Sequence, residues 1–486
     1  MSDIRDKLKG LLREDNHQTL LSYRGDEWLW SHCARIVASI DQLLSRAGIE
    51  SSVNVGLIAR NRPPHAAVIL GMIALDRRLT MVHVYQSPEA LAQDVKQLQL
   101  GVVVGDSDDW TSNLSEMVER EGVLGIVLPS ERGSGCSAVG DYRYSDDHRR
   151  TESNGFEVLS SGTTGTPSRT IMPFTVVQRA LDSILAVGPE VARSAEIVSW
   201  PFGTIGGLCQ VVTASVLTRP FALLEKFNLD EWLEAIDRYQ PMILFVQPAV
   251  LRIVLDAAVP KERLSCLQVI SGGAGPLEPE LQRRFEERYG IPLLWAYGAT
   301  EFCGTIISWT FELRKQFGLS KAGSAGKPIS GVEVRVVDVT TEQPLPPGDT
   351  GWLEAKVSGL SADWVRTTDL AAVDEDGFVF IKGRGDGSIN RGGFKVLPEQ
   401  VVDCLRTHPA VLDAAVVGID DKTLGQVPVA AIELARDAQV SVDELDQFVR
   451  GKLLAYQVPA QWKIVESLPR TSTLKVKLTE IARLFP

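Results

Sequence analysis

A short run of small and hydroxyl-bearing residues, VLSSGTTGTPSRT at Val158–Thr170, has the composition of a loop that binds phosphate. Glycine permits backbone turns with positive φ and lets a ligand come close, while hydroxyls and bare backbone N–H groups donate hydrogen bonds to phosphate oxygens. The run is not a Walker P-loop, because the chain contains no GxxxxGK[ST]. Taken alone, the segment is also compatible with an exposed Ser/Thr/Gly linker.

Four further segments carry small, aromatic or charged residues, and the first two of them lie at the ends of predicted strands. They are SGGAGPLEPE (271–280), WAYGATE (295–301), the stretch 366–396 and LPRTSTLKVKL (468–478). The first turns on small residues into a helix start. The second brings an aromatic ring, a hydroxyl and a carboxylate into close succession.

These five elements, in this order, resemble the adenylate-forming superfamily of acyl- and aryl-CoA ligases, peptide-synthetase adenylation domains and luciferase. The resemblance covers most of the chain and is weakest before about residue 150. The family joins a carboxylic acid to AMP and then passes the acyl group to a thiol, usually of coenzyme A or of a carrier protein's phosphopantetheine. The first step brings two anions together, so it needs positioned N–H donors, a divalent metal and a cation rather than a base.

The resemblance implies an ATP-binding role for residues in three of the segments. Those implied to close over the β- and γ-phosphates are Ser161, Gly162, Thr163, Thr164, Gly165 and Thr166. Those implied to surround adenine are Gly272, Gly273, Ala274 and Tyr297. Asp369 is implied to accept hydrogen bonds from the ribose hydroxyls, with support from Arg384. The competing interpretations are a core tyrosine at 297 and a surface ion pair between 369 and 384.

The residues implied to act on the reacting groups are Thr300, Glu301 and Lys475. The first two belong near the α-phosphate, with Glu301 binding Mg²⁺, an ion that prefers oxygen ligands. Lys475 matches the C-terminal catalytic lysine, a compact charge on a flexible stem. The competing interpretation is a solvated lysine, since Lys477 lies two residues further on.

A glycine cluster near residue 386 resembles the family's hinge, about which a small C-terminal domain swings between the two half-reactions. Asp386 matches the hinge residue itself. Gly392 and Gly393 match the thiolation face, where missing side chains would leave a channel for a thin pantetheine arm. Hinges need a few residues that absorb changes in φ and ψ, and glycines flank this one.

The sequence departs from the family pattern at several motif positions. Ser168 stands where the phosphate loop usually has lysine, and Arg169 is a candidate to supply that charge one position later. Thr204 replaces a histidine or aromatic residue, and Leu474 replaces the glycine before the C-terminal lysine. These departures keep open a non-catalytic ATP-binding homologue.

The segment SWPFGTIGG (199–207) lacks a carboxylate that could pair with a substrate ammonium group. We therefore expect an aryl or medium-chain acyl acid without an α-amino group, held mainly by apolar contacts. The expected lining is Phe202, Thr204, Ile205, Gly206 and Cys303. Coenzyme A is the leading acceptor, because residues 389–418 look most like acyl- and aryl-CoA ligases; a carrier protein is the second candidate.

These residues need a scaffold, and the apolar pattern predicts an α/β fold. Short Val- and Ile-rich runs alternate with amphipathic stretches, which is typical of α/β layers with a largely parallel sheet. After about residue 325 the period-two pattern predicts an antiparallel β subdomain, and a small α+β domain follows the glycine cluster. We expect an N-terminal adenylation domain at 1–383 and a mobile C-terminal domain at 384–486.

Composition narrows the function class. The net charge of −12 disfavours a nucleic-acid partner, because such a surface repels phosphate backbones. The six cysteines form no CxxC pair, which favours a reducing compartment, and the charged N-terminus does not read as a signal peptide. The apolar runs are shorter than the ~20 residues of a membrane span. The sequence therefore predicts a cytoplasmic enzyme, and it leaves the oligomeric state open.

Overall fold

The computed structural model describes residues 2–82, 84, 87–150, 154–160, 168–174, 177–178, 181, 194–273, 277, 279–299, 302, 304–339, 341–358, 360, 362–384, 387–435, 438–469 and 476–486. The described strands are β1 (Thr19–Tyr23), β2 (Asp26–Leu29), β3 (Val55–Ile58), β4 (Leu79–Val82), β5 (Val102–Gly105), β6 (Leu124–Val127), β7 (Ser137–Val139), β8 (Gly155–Ser160), β9 (Ser168–Pro173), β10 (Glu196–Val198), β11 (Phe221–Leu223), β12 (Ile243–Val246), β13 (Val269–Gly272), β14 (Leu293–Ala299), β15 (Gly304–Ser308), β16 (Lys327–Pro328), β17 (Val332–Val337), β18 (Gly351–Val357), β19 (Val365–Val373), β20 (Val379–Arg384), β21 (Ile389–Arg391), β22 (Phe394–Val396), β23 (Val411–Asp421), β24 (Gly425–Leu434) and β25 (Gln461–Val465). The described α-helices are α1 (Ser2–Leu11), α2 (Trp30–Arg46), α3 (Pro63–Ala74), α4 (Pro88–Gln97), α5 (Ser112–Glu121), α6 (Ile205–Val216), α7 (Leu229–Tyr239), α8 (Pro248–Asp256), α9 (Pro279–Tyr289), α10 (Phe311–Phe317), α11 (Pro398–Arg406), α12 (Val442–Arg450) and α13 (Leu478–Ala482).

The first sheet has seven strands in the order β7-β6-β5-β3-β4-β8-β9. Its inner pairs are parallel, and β7 and β9 run antiparallel at the two edges. The central strands β3, β4 and β5 are buried along their length, as expected for a sheet covered on both faces. The hairpin of β8 and β9 flanks residues 161–167, so the segment predicted to hold phosphate connects two paired strands.

A second sheet, in the order β10-β11-β1-β2, packs on the same apolar core as the first. Helix α3 lies in this core with all twelve residues buried, which accounts for the longest apolar run in the sequence. Within the described residues, no helix combines the length and the hydropathy that crossing a bilayer requires.

The third sheet has the order β12-β13-β14-β15-β16 and its own core beneath helices α7, α8 and α9. Strands β12, β13 and β14 run parallel, so their carboxyl ends meet at one edge. Strands β17 to β20 form an antiparallel sheet in sequence order, as the period-two pattern predicts.

The last sheet contains β21 to β25, with β24 paired to β21, β23 and β25. Its two faces are both buried, because alternate residues of β23 point to different cores. Ala414 and Val416 pack with helices α11 and α12, whereas Ala415 and Val417 pack with Ile481 of α13. The α/β fold class, with its antiparallel subdomain and small α+β C-terminal part, is confirmed.

Candidate functional site

The carboxyl ends of β12, β13 and β14 form the edge at which Gly272, Gly273 and Tyr297, the described residues predicted to surround adenine, lie. Gly272 ends β13, and a Cβ there would stand 2.2 Å from the Val246 carbonyl oxygen and 2.5 Å from the Trp295 ring. At Gly273 a Cβ would stand 3.0 Å from the carbonyl oxygen of Ala296. Real Cβ atoms do not approach backbone at 2.2 Å, so Gly272 is required by the packing of three adjacent strands. Ala274 lies outside the described residues.

The structure brings Tyr297 and Asp369 together across two sheets. The Tyr297 hydroxyl donates a hydrogen bond of 2.6 Å to Oδ2 of Asp369, whose residue is 6 % exposed. The backbone N–H of Asp369 donates to Oγ1 of Thr367 at 3.0 Å, and that hydroxyl donates to the carbonyl of Leu353. Tyr297 therefore holds the carboxylate, and Thr367 holds the backbone that carries it. In β20, Arg384 pairs directly with Asp369, so the backbone places the two predicted ribose residues side by side.

Arg169 does not stand free to replace the missing lysine of the phosphate loop. Its guanidinium donates to the Met81 carbonyl at 2.9 Å and lies 3.5 Å from the carboxylate of Asp94, with the side chain 12 % exposed. Burial lowers the pKa of Arg169 from its usual value. These contacts tie the returning strand β9 to β4 and α4. These contacts disfavour the idea that Arg169 supplies the phosphate-binding charge, because the guanidinium already has partners of its own.

The segment predicted to line the acid pocket forms a turn from Trp200 to Thr204 that leads into α6. Thr204 caps this helix: its hydroxyl donates to the Pro201 carbonyl at 2.7 Å and accepts from the Gly207 N–H at 3.2 Å. Phe202 is fully buried in the core shared by the first two sheets, so its ring serves packing rather than an open cavity. Ile205 is half-buried, and Cys303 lies outside the described residues.

Trp200 is a residue that the sequence reasoning missed. A Cβ on Gly206 would stand 2.1 Å from Cε3 of Trp200, so the indole covers the position where a side chain would be. The indole Nε1 donates to the carbonyl of Phe245, the penultimate residue of β12, at 3.1 Å. The half-buried ring thus lies between the start of α6 and the edge of the third sheet. In the sequence, Trp200 is marked only by its position directly before Pro201. That position does not indicate which side chain of the turn faces the site.

Gly392 and Gly393 form the two-residue turn of the hairpin between β21 and β22. Their φ angles are +58° and +92°, and Arg391 pairs with Phe394 across the turn. Two consecutive residues with positive φ are characteristic of a tight hairpin turn that glycine adopts without strain. The Gly392 N–H donates to the Leu424 carbonyl at 2.7 Å. The backbone thus favours glycine at both positions independently of any pantetheine channel.

Several predicted residues lie outside the part of the chain that the structure describes. They are Ser161, Gly162, Thr163, Thr164, Gly165, Thr166, Ala274, Thr300, Glu301, Cys303, Asp386 and Lys475. In the sequence, Thr300 and Glu301 directly follow Ala299, the last residue of β14. Across the described residues, no cluster of three or more His, Cys, Asp or Glu side chains is arranged to hold a metal ion.

Comparison with known proteins shows which family the chain belongs to. Residues 13–361 match the family described as AMP-binding enzyme, and residues 401–475 match the AMP-binding enzyme C-terminal domain. The 2-succinylbenzoate–CoA ligase of Bacillus pumilus is 28 % identical over 94 % of this chain and 93 % of that protein. The peroxisomal OPC-8:0-CoA ligase 1 of Arabidopsis thaliana is 27 % identical over 95 % and 89 %. The 2-succinylbenzoate–CoA ligase of Geobacillus kaustophilus is 30 % identical over 68 % and 69 %.

Solved structures share the fold over nearly the whole chain. The amide bond synthetase McbA from Marinactinospora thermotolerans superposes with a TM-score of 0.84, 24 % identity and 99 % coverage of both chains. A double mutant of the o-succinylbenzoate CoA synthetase from Bacillus subtilis gives a TM-score of 0.82, 21 % identity, and coverage of 99 % and 98 %.

Proposed function

The chain belongs to the AMP-binding enzyme family and is an AMP-forming ligase of the acyl- and aryl-CoA synthetase type, and we propose that it joins an aryl or medium-chain acyl acid to coenzyme A. The observation that carries the proposal is the edge of the third sheet. There the Gly272–Gly273 turn shares the edge with Tyr297, whose hydroxyl holds the carboxylate of Asp369.

In the first half-reaction, the acid carboxylate attacks the α-phosphorus of ATP and pyrophosphate leaves. We assign the base to the edge that follows Gly272 and Gly273, where the strands pack too closely for side chains, and Tyr297 offers an aromatic face at the same edge. Asp369, whose carboxylate is held by Tyr297 and whose backbone is held by Thr367, is assigned to accept hydrogen bonds from the sugar hydroxyls. The proposal assigns the N–H groups and hydroxyls of residues 161–166 to the β- and γ-phosphates, where donors stabilise developing charge.

Thr300 and Glu301 are assigned to the α-phosphate, and Lys475 to the positive charge that meets the attacking carboxylate. The hydroxyl and carboxylate oxygens that follow β14 are the donor types that suit magnesium, so Glu301 would hold this ion. A bound magnesium ion would offset the charge on the phosphate oxygens.

We assign the acid side to the turn from Trp200 to Thr204 and to the start of α6. No carboxylate occurs from Ser199 to Gly207, so nothing in this stretch would pair with an α-ammonium group. The half-buried Trp200 indole offers an apolar wall that suits a ring or an alkyl chain. The acids in the names of the relatives, 2-succinylbenzoate and OPC-8:0, belong to the aryl and acyl classes.

In the second half-reaction, a thiolate attacks the acyl carbon and AMP leaves. We assign Asp386 as the hinge between residues 1–383 and 384–486, and the hairpin at Gly392–Gly393 as the face that approaches the thiol arm.

Coenzyme A is the proposed acceptor. A carrier protein's phosphopantetheine is the second candidate, and a binding-only homologue is the candidate of another class. The cytoplasm remains the expected location.

Acid-dependent exchange of pyrophosphate into ATP tests the proposal. The panel contains benzoate, 2-succinylbenzoate, octanoate and several amino acids, each with and without coenzyme A. We expect exchange with an aryl or acyl acid and thioester only when coenzyme A is present. A clear preference for an amino acid would contradict the assigned acid class. Exchange without thioester would favour a carrier protein, and ATP binding without exchange would favour the binding-only homologue.

A further inference from the structure

Asn61 is a buried amide that joins the first two sheets. It follows β3, and its residue is 4 % exposed. Its Nδ2 donates to the carbonyls of Trp200 and Leu224 at 2.9 and 3.2 Å, and its Oδ1 accepts from the N–H of Phe202 at 2.9 Å. One side chain therefore satisfies three backbone groups on the two segments that directly follow β10 and β11 of the second sheet. A carboxamide offers two N–H donors and an acceptor within one short planar group.

Two of these three bonds fall within the turn assigned to the acid side. The turn leaves β10 at Val198 and carries Trp200, whose indole is bonded at its other end to the Phe245 carbonyl in the third sheet. Asn61 therefore fixes the backbone of the residue whose side chain reaches across to the edge with Gly272. Its third bond, to Leu224, holds the neighbouring strand β11 at the same place.

Ion pairs near Asn61 also hold the first two sheets together, and they do not contact the Trp200–Thr204 turn. Arg62 is paired with Glu225 at 2.7 Å and with Asp106 at 2.7 Å, and Tyr23 donates to Glu225 at 2.7 Å. These contacts join β1, β3, β5 and β11 at their carboxyl ends. The two sheets would therefore stay together when the Asn61 amide is removed. The structural change would be confined mainly to the Trp200–Thr204 turn.

We propose that Asn61 is a positioning residue, which orients the Trp200–Thr204 turn and thereby sets the affinity for the carboxylic acid. This inference rests on the proposed function, because it takes that turn as the acid side. Replacing the amide by an apolar group leaves two carbonyls and an N–H without partners, which costs more than the bonds contributed. The turn would then move to reach water, and Trp200 would move with it.

The test compares Asn61→Leu with Asn16→Leu. Asn16 is a matched control, because its amide also donates to a carbonyl, of Leu11, and accepts from a backbone N–H, of Gln18, far from the turn. Pyrophosphate exchange gives KM for the acid and for ATP, with whichever of benzoate, 2-succinylbenzoate and octanoate is active. Deuterium uptake over residues 199–207 reports on the turn directly.

For Asn61→Leu we expect KM for the acid to rise about tenfold, KM for ATP to stay within about twofold, and uptake over 199–207 to increase. Asn16→Leu should change none of the three. Equal rises in both KM values, or unchanged uptake over the turn, would overturn the inference. Should Asn61→Leu fail to fold, Asn61→Ser, which keeps one donor, is expected to give the same pattern more weakly. Absence of exchange in the wild type would contradict the proposed function instead, and the uptake comparison would still decide whether Asn61 holds the turn.

Discussion

The hydroxyl of Tyr297 donates a 2.6 Å hydrogen bond to the carboxylate of Asp369, joining the end of a parallel strand to the middle of an antiparallel sheet. Asp369 is almost wholly buried, and its backbone N–H is tied to Thr367. The bond thus places the proposed adenine and ribose residues in a fixed relation before any nucleotide arrives.

Tyr297→Phe keeps the ring and removes this bond. We expect KM for ATP to rise about three- to tenfold, the effect of one net hydrogen bond, while KM for the acid is unchanged. Steady-state exchange at varied ATP measures it. An unchanged KM for ATP would show that the oriented carboxylate does not contribute to nucleotide binding.

Gly206→Ala should displace the Trp200 indole, because the new Cβ would lie 2.1 Å from Cε3 of that ring. Overpacking of this kind lowers the free energy of unfolding by roughly 1–3 kcal/mol, and KM for the acid should rise with it. Adding Trp200→Phe removes the bulk and should recover part of the stability. A double-mutant cycle in urea measures the coupling, and strictly additive losses would contradict a contact between the two residues.

Gly392→Asn separates two roles of this glycine: the positive φ that the hairpin turn needs, and the absence of a side chain that the proposed pantetheine channel needs. Asparagine tolerates positive φ, and its Cβ would meet only the flexible end of the Leu424 side chain, at 3.1 Å, so the hairpin should be kept with a small fall in melting temperature. Gly392→Ala, which adds the strain of positive φ, should cost roughly 1–2 kcal/mol. If the pantetheine arm passes here, Gly392→Asn lowers thioester formation at least tenfold and leaves exchange intact. Gly377→Asn is the control, since its φ is +82° and no atom lies within 4 Å of its Cβ position. Normal thioester formation in Gly392→Asn would refute the channel.

Lys475→Ala should lower adenylation by about a hundredfold or more while leaving thioester formation from a supplied acyl-adenylate largely intact, because only the first step brings two anions together. Lys477→Ala serves as the control, since that ammonium is paired with Glu480 at 3.0 Å. Rapid-quench assays of the two half-reactions distinguish the outcomes. Equal losses in both would argue against alternating use of the C-terminal domain.

The burial of His65 should make the free energy of unfolding fall at acid pH. Burial, together with the neighbouring charges of Arg60 and Arg62, lowers the pKa of His65 to about 3 despite the opposing effect of Asp109. The unfolded state then binds more protons at acid pH, so the stabilisation is present above about pH 6.5 and is lost as the pH falls toward 3. Between pH 7 and 5 the wild type should lose about 2 kcal/mol more than His65→Leu. Urea melts at both pH values measure this difference, and parallel losses would contradict a buried neutral ring.

The sequence predicted the elements that follow from local periodicity. The apolar runs at 53–59, 101–106 and 242–246 contain β3, β5 and β12, and the glycine pair at 272–273 proved to be a close approach of strands. Which side chain of a turn faces the site is decided by neighbouring sheets, so Phe202 was assigned to the pocket although it packs in the core. The roles of Trp200 and Asn61 could not be predicted from the sequence, because they rest on contacts with Phe245 and Leu224, which lie in remote segments of the chain. The residues assigned to phosphate and catalysis stay predictions.

The pairing of β1 with β11, in which Leu21 lies opposite Phe221, has a consequence for synthesis of the chain. The two partners are about 200 residues apart, so the N-terminal hairpin has no sheet to join while the ribosome makes the sequence between them. At ordinary elongation rates this interval lasts roughly 10–40 s. The edge of β1 that pairs with β11 stays without its partner strand throughout, although Leu20 and Leu21 can already pack on core residues made earlier in the chain. We expect nascent chains that stop before β11 to need chaperone protection of this edge, whereas those that extend beyond it can close the second sheet.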